Sequence, residues 1–163
     1  MMERILVFSD SHGDVKMMKQ IIENTYGVNG VIHLGDINHD IQFLEDNFFD
    51  FPIYGVQGNN DYSGLYPNEK LLNIGGKKIF ITHGHYYLTN WDSTPLKSIP
   101  KAEAADLILF GHTHVAQVEH FSGKILANPG SISRPKTGNP SYGVIEIEDG
   151  KLHYCNIELP SPF

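Results

Sequence analysis

A chain of 163 residues, 40% apolar and 19% charged, can bury one hydrophobic core but is short for two. A formal net charge of −7, with no run of Lys or Arg, excludes a general nucleic-acid-binding face. The single cysteine, Cys155, excludes an intramolecular disulfide and a thiolate zinc site.

From the N-terminus, Met1–Arg4 leads directly into the apolar run Ile5–Phe8. That run is far too short to span a bilayer, and nothing in it resembles a signal peptide, so the expectation is a cytoplasmic protein without membrane partners. Arg4–Ser9 predicts a buried strand that stops at Ser9-Asp10-Ser11-His12-Gly13-Asp14. Asp14 predicts an N-cap for a helix to about Tyr26, with Val15, Met18, Ile21 and Ile22 on one face. Gly30–Leu34 predicts a second strand ending in Gly35-Asp36. A helix follows around Ile41–Asn47, and Pro52–Gln57 predicts a third strand ending in Gly58-Asn59-Asn60-Asp61. This β-α-β-α-β order argues for an α/β fold with parallel strands.

The second half has a different rhythm. Leu71–Ile74 and Lys77–Thr82 flank the hairpin signal Gly75-Gly76. Residues 85–105 predict a loop with one or two short helices, because Pro95 and Pro100 forbid a long one. Tyr86, Tyr87 and Trp91 in that stretch suit a lid, an interface, or contacts between subunits of a homo-oligomer. Leu107–Phe110 predicts a buried strand ending in Gly111-His112-Thr113-His114. Val115–Phe121 with Lys124–Ala127, and Tyr142–Glu148 with Leu152–Ile157, read as further antiparallel hairpins. No repeat, linker or low-complexity stretch interrupts the chain, so residues 1–163 read as one domain.

Five polar clusters each follow an apolar strand: Asp10-Ser11-His12, Gly35-Asp36, Gly58-Asn59-Asn60-Asp61, His83-Gly84-His85 and Gly111-His112-Thr113-His114. Ligands in α/β sheets bind beyond the carboxyl ends of the strands, so neighbouring strands would bring these clusters to one rim. The glycines permit sharp turns there. Imidazole and carboxylate together suit Mn, Fe, Zn, Co or Ni, and the absence of thiolates argues against a soft-metal site. Two divalent ions with Asp10, Asp36 and a hydroxide leave a local charge of about +1 by formal count, which is one way for an acidic protein to attract an anion. His33, within an apolar strand, reads as a satisfied, partly buried structural residue. His39, His120 and His153 read as surface residues, and Arg134 and Lys136 as solvated charges rather than phosphate contacts.

The ordered series Asp-x-His, Gly-Asp, Gly-Asn-x-Asp, His-Gly-His, Gly-His-x-His resembles the signature of the calcineurin-like metallophosphoesterases. With the small size and Asn128-Pro129-Gly130-Ser131, the chain looks similar to the short prokaryotic YfcE-type phosphodiesterases, which are related to the retromer subunit Vps29. The resemblance runs from Ile5 to about Asp149. It implies a four-layer αββα sandwich of two mixed β-sheets flanked by helices. It implies two divalent metal ions, with Mn²⁺ the first choice over Ni²⁺, Zn²⁺, Fe²⁺ or Co²⁺. Asp10, His12 and His114 would hold the first ion, Asn59, His83 and His112 the second, and Asp36 would bridge them. Asn128-Pro129-Gly130-Ser131 would buttress the site.

The implied activity is hydrolysis of a small phosphate ester, a diester first and a monoester second, by a hydroxide between the ions. An interaction scaffold like Vps29 is the alternative of a different class. The sequence departs from many relatives at Asn60, where they carry His. An amide donates a hydrogen bond but supplies no proton, so Asn60 is expected to contact phosphate while His85 serves as the acid, or substrates carry good leaving groups. His39 stands where the wider family often continues with Asp, and receives no role.

Overall fold

The computed structural model describes residues 2–61, 64–88 and 91–160. In chain order the elements are β1 Glu3–Phe8, α1 Val15–Asn24, β2 Gly30–His33, α2 Asn38–Asn47, β3 Ile53–Gly55, β4 Glu69–Ile74 and β5 Lys77–Thr82. A 3-10 turn at Thr94–Ser98 and the short α3 Pro100–Glu103 follow. Then come β6 Leu107–Leu109, β7 Gln117–Phe121, β8 Lys124–Asn128, β9 Ser141–Glu148 and β10 Lys151–Glu158. Among the described residues, no helix is long and apolar enough to cross a membrane.

The ten strands form two five-stranded mixed sheets, ordered β10-β9-β1-β2-β3 and β4-β5-β6-β8-β7. In the first, β1, β2 and β3 are parallel, and β9 runs antiparallel beside β1. In the second, β5, β6 and β8 are parallel, with β4 and β7 antiparallel at the edges. The expected four-layer sandwich is therefore present.

Strand alternation builds the layers. Ile5 and Val7 of β1 meet Ile79, Ile81, Leu107 and Leu109 between the sheets. Leu6 and Phe8 of the same strand face Met18, Ile21 and Ile22 of α1 on the outer side. Phe80, Ile108 and Phe110 point the other way, onto Leu96, Ala102 and Ala105 of the 3-10 turn and α3 segment. Both faces of these strands are covered, which is why they read as unbroken apolar runs.

Asp14 caps α1 as expected, its carboxylate accepting the Met17 N–H at 3.4 Å. The helix ends at Asn24, two residues before the expected Tyr26, and α2 starts at Asn38 rather than Ile41. The hairpins of the second half form, but they do not make one antiparallel set. β8 joins β6 in parallel while β9 crosses to the other sheet and pairs with β1. Local turn chemistry specifies a hairpin; it carries no information on which distant strand the hairpin joins. Residues 89–90, inside the expected loop, lie outside the described residues.

Candidate metal centre

The carboxyl ends of β1, β2, β3, β5 and β6 gather at one rim and bring all five polar clusters with them. Asp10 and His12 follow β1, Asp36 follows β2, Asn59 and Asn60 follow β3, His83 and His85 follow β5, and His112 and His114 follow β6.

Asp10 stands at the middle. It is fully buried, and among the described residues its Oδ1 has no hydrogen-bond partner. Around that oxygen lie His114 Nε2 at 3.3 Å and His83 Nε2 at 3.8 Å, and His83 Nε2 is 3.7 Å from Asp36 Oδ1. The ligand atoms of Asp10, His12 and His114 lie within 4.8 Å of one another, as do those of Asp10, Asp36 and His83. Asp10 is thus common to both groups, whereas the resemblance gave the bridging role to Asp36. Asn59 Oδ1 lies 3.1 Å from both His83 Nε2 and His112 Nδ1, which adds the remaining two residues of the expected second set.

A buried carboxylate oxygen without a donor is costly unless something positive meets it. The buried Nε2 of His12 is likewise without a partner. Carboxylate oxygen and imidazole nitrogen atoms converging in this way fit one or two divalent cations.

The rings are aimed by outer partners. His83 Nδ1 bonds the Leu34 carbonyl at 2.8 Å and His114 Nδ1 bonds that of Arg134 at 2.7 Å, so each ring directs its Nε2 lone pair inward. Burial alone would push the Asp10 carboxyl up. The adjoining His114 and the charge of His83, aided by Ser9, outweigh it and bring the pKa down to about 2. Burial lowers the pKa values of His12 and His112, and His83 lowers that of His112 further. His114 is raised by the adjoining Asp10 carboxylate.

The backbone here is bent into an uncommon region. Asp10, His12, Asp36, His112 and His114 have φ between +44° and +72°, so five of the seven candidate ligands lie in left-handed conformations. Such conformations persist where surrounding structure over-determines them. Gly35 and Gly84, at φ +101°, serve the turning role expected of glycine. Gly58 and Gly111 serve a different one, since a Cβ on Gly58 would lie 2.3 Å from Asp36 Oδ1 and one on Gly111 2.0 Å from Ser9 Oγ.

Asn60 donates its backbone N–H to Asp36 Oδ1 at 3.0 Å and its side-chain amide to Asp36 Oδ2 at 2.8 Å. One amide proton remains for a ligand. His85 packs 5.4 Å from His83 between ring centroids and lies against Tyr86 at 4.1 Å with the rings tilted by 40°, and its buried Nδ1 is without a partner among the described residues.

Several positioning residues escaped the sequence reading. The Asp61 carboxylate accepts the N–H groups of Asp36, Ile37, Asn38 and Gly58. Ser11 Oγ donates to Asp40 Oδ2 at 2.6 Å and lies 2.7 Å from His33 Nε2, while Asp40 also accepts the Gly13 N–H. Asp61 had a visible signal in its spacing within Gly-Asn-x-Asp. The Ser11–Asp40 pair had none, because only folding brings those positions together. His33 is fully buried rather than partly so. His39, His120 and His153 are exposed. Asn128 donates to Gly111 O and Thr113 Oγ1, and Ser131 Oγ donates to Asp10 O, so this segment braces two of the ligand loops.

A sandwich of two mixed sheets with carboxylates and imidazoles clustered on its strand-end rim defines a metallophosphoesterase-type protein. The chain belongs to the calcineurin-like phosphoesterase superfamily, whose domain model matches residues 2–150. It is 36% identical over 151 residues to YsnB of Bacillus subtilis, described as a probable metallophosphoesterase, covering 89% of this chain and 85% of that one. It is 28% identical over 172 residues to the phosphodiesterase MJ0936 of Methanocaldococcus jannaschii, covering 96% and 99%. A crystal structure of a Streptococcus pneumoniae protein described as a predicted phosphoesterase superposes with a TM-score of 0.80 at 30% identity, covering 97% of this chain and 90% of that one.

Proposed function

We propose that residues 1–163 form one metal-dependent phosphodiesterase domain whose centre holds two divalent ions, Mn²⁺ first among them. The observation that carries this reading is the buried, unpartnered Asp10 Oδ1, ringed by His83, His114 and Asp36 on strand ends drawn from both sheets. Asp10, His12 and His114 would hold one ion, and Asn59, His83 and His112 the other. Asp36 would stand between the ions, and Asp10, common to both groups of ligand atoms, would share that role. Two bound divalent cations supply a strong oxygen nucleophile at neutral pH and neutralise charge on phosphoryl oxygens.

The chain's own residues do the rest. Leu34 O and Arg134 O fix two rings so that their free nitrogens face the centre. Asn60, steadied on Asp36, directs a remaining amide proton to a phosphoryl oxygen. His85, packed beside His83, would hand a proton to the departing alkoxide. The name of the archaeal phosphodiesterase relative supports a diester preference, with a monoester the second choice.

The test is hydrolysis of matched aryl phosphodiesters and phosphomonoesters by metal-stripped protein, with Mn²⁺, Ni²⁺, Zn²⁺ or Mg²⁺ restored. Metal-dependent diester cleavage that disappears in Asp36→Asn and His112→Ala is the expected result. A strong monoester preference would replace the diester assignment. Stoichiometric metal binding without turnover would favour an interaction scaffold.

A further inference from the structure

One flank of the centre carries side chains that phosphoryl chemistry leaves unused. Trp91, the one tryptophan of the chain, lies with its indole nearly parallel to the His112 ring, at 23° and 5.3 Å between centroids. It is 56% exposed, a large apolar surface left beside a polar centre. The Lys136 ammonium sits 4.1 Å from the indole centroid, and the Lys136 backbone N–H donates to His114 O at 3.0 Å. This cation and this ring are therefore tied to the loop that bears two candidate metal ligands. With Val115 and Gln117 they line a cavity of about 230 Å³.

A phosphorus atom near Asp10, Asp36 and His83 has His112 on one side and Asn60 on another, and an ester arm can leave past either. The cavity on the Asn60 side is lined by Ile37, Asn38, His39, Gln42 and Leu65, and among the described residues no Phe, Tyr or Trp ring faces it. The His112 side offers an indole, an apolar floor and a cation. A flat ring that takes the ammonium's place gains stacking on the indole, and the displaced Lys136 meets the ring's π-face or an anionic substituent.

We propose that Trp91 and Lys136, over Val115 and Gln117, form a subsite for a flat aromatic arm of the phosphate ester. The subsite rests on the phosphoesterase reading of the adjoining centre, and it makes aromatic esters the substrate class. The aromatic arm belongs either to a simple aryl alcohol or to a nucleoside, and ligand choice separates the two.

The experiment is calorimetric titration of Mn²⁺-loaded protein with methylphosphonate, phenylphosphonate and the phosphonate analogue of thymidine 5′-phosphate. Stacking of this kind predicts aromatic ligands binding about fivefold or more tighter than methylphosphonate. Trp91→Ala brings that ratio close to one, and Trp91→Phe preserves most of it. Fluorescence of the lone tryptophan responds to the aromatic ligands and not to methylphosphonate. Tightening by both aromatic ligands establishes a general aromatic subsite, and tightening by the thymidine analogue alone a nucleobase subsite. A ratio near one in the unmodified protein, or a ratio that survives Trp91→Ala, overturns the subsite while methylphosphonate binding keeps the phosphoesterase reading. Binding of none of the three overturns both.

Discussion

The carboxylate of Asp61 accepts the backbone N–H of Asp36 at 3.1 Å, and its two oxygens also take the N–H groups of Ile37, Asn38 and Gly58. One buried anion thereby fixes the turn after β2 against the turn after β3. Asp36, Asn59 and Asn60 are placed by an acid that has no need to touch a metal.

Asp61→Asn removes the charge and turns half of that acceptor into a donor facing N–H groups. Residues that orient ligands typically change metal affinity by about 10–100-fold, and Mn²⁺ affinity should fall in that range. Unfolding free energy should drop by about 1–3 kcal/mol. Calorimetric metal titration and urea denaturation read the two effects. An unchanged affinity would mean that Asp61 serves only the fold.

The proposed role of Asn60 makes position 60 the expected determinant of leaving-group range. Asn60→His introduces a group able to donate a proton, and should raise kcat on alkyl esters by roughly 10²-fold with little gain on nitrophenyl esters. His85→Ala should lower turnover on alkyl esters in the unmodified background. No gain from the first variant, together with silence of the second, would discard both assignments.

His33 predicts a specific acid sensitivity. Burial holds its pKa at about 4, against 6.5 for the free side chain, with the Asp40 charge opposing only part of the shift. Between pH 6.5 and 4 the unfolded chain binds the extra proton and the folded one does not. Stability from the neutral ring is thus complete above pH 6.5, declines as pH falls, and is lost by about pH 4. The full loss amounts to about 3 kcal/mol. Urea midpoints of chelator-treated protein across this window should fall less steeply for His33→Gln than for the unmodified chain. Parallel curves would show that the ring protonates without cost.

Gly111 is held to glycine by the closeness of Ser9 Oγ and Asp10 Oδ2 rather than by its own φ. Gly111→Ala should weaken metal binding about tenfold or more by displacing Asp10, in line with the losses seen when ligand support is disturbed. Ser9→Ala in the same chain removes the atom that would lie 2.0 Å from the new methyl and should restore part of the affinity. Strict additivity of the two substitutions in a double-mutant cycle would rule out the proposed collision.

What the sequence by itself determined was the local content of this protein. Apolar runs ending in Asp10-Ser11-His12 or Gly111-His112-Thr113-His114 identify both the strands and the residues at their ends, because an apolar-to-polar break is written in neighbouring positions. The same holds for the N-cap at Asp14 and the hairpin at Gly75-Gly76. The tertiary structure alone decided which strands lie side by side, since β9 joins β1 across more than a hundred residues. It decided that Asp10 faces both His114 and His83, and that Ser11, His33 and Asp40 form one buried network. It also set the indole of Trp91 against His112. Sequence periodicity encodes which way a side chain faces. Which side chain it meets depends on chain closure and packing, where many distant pairs compete and no local pattern distinguishes the one that forms.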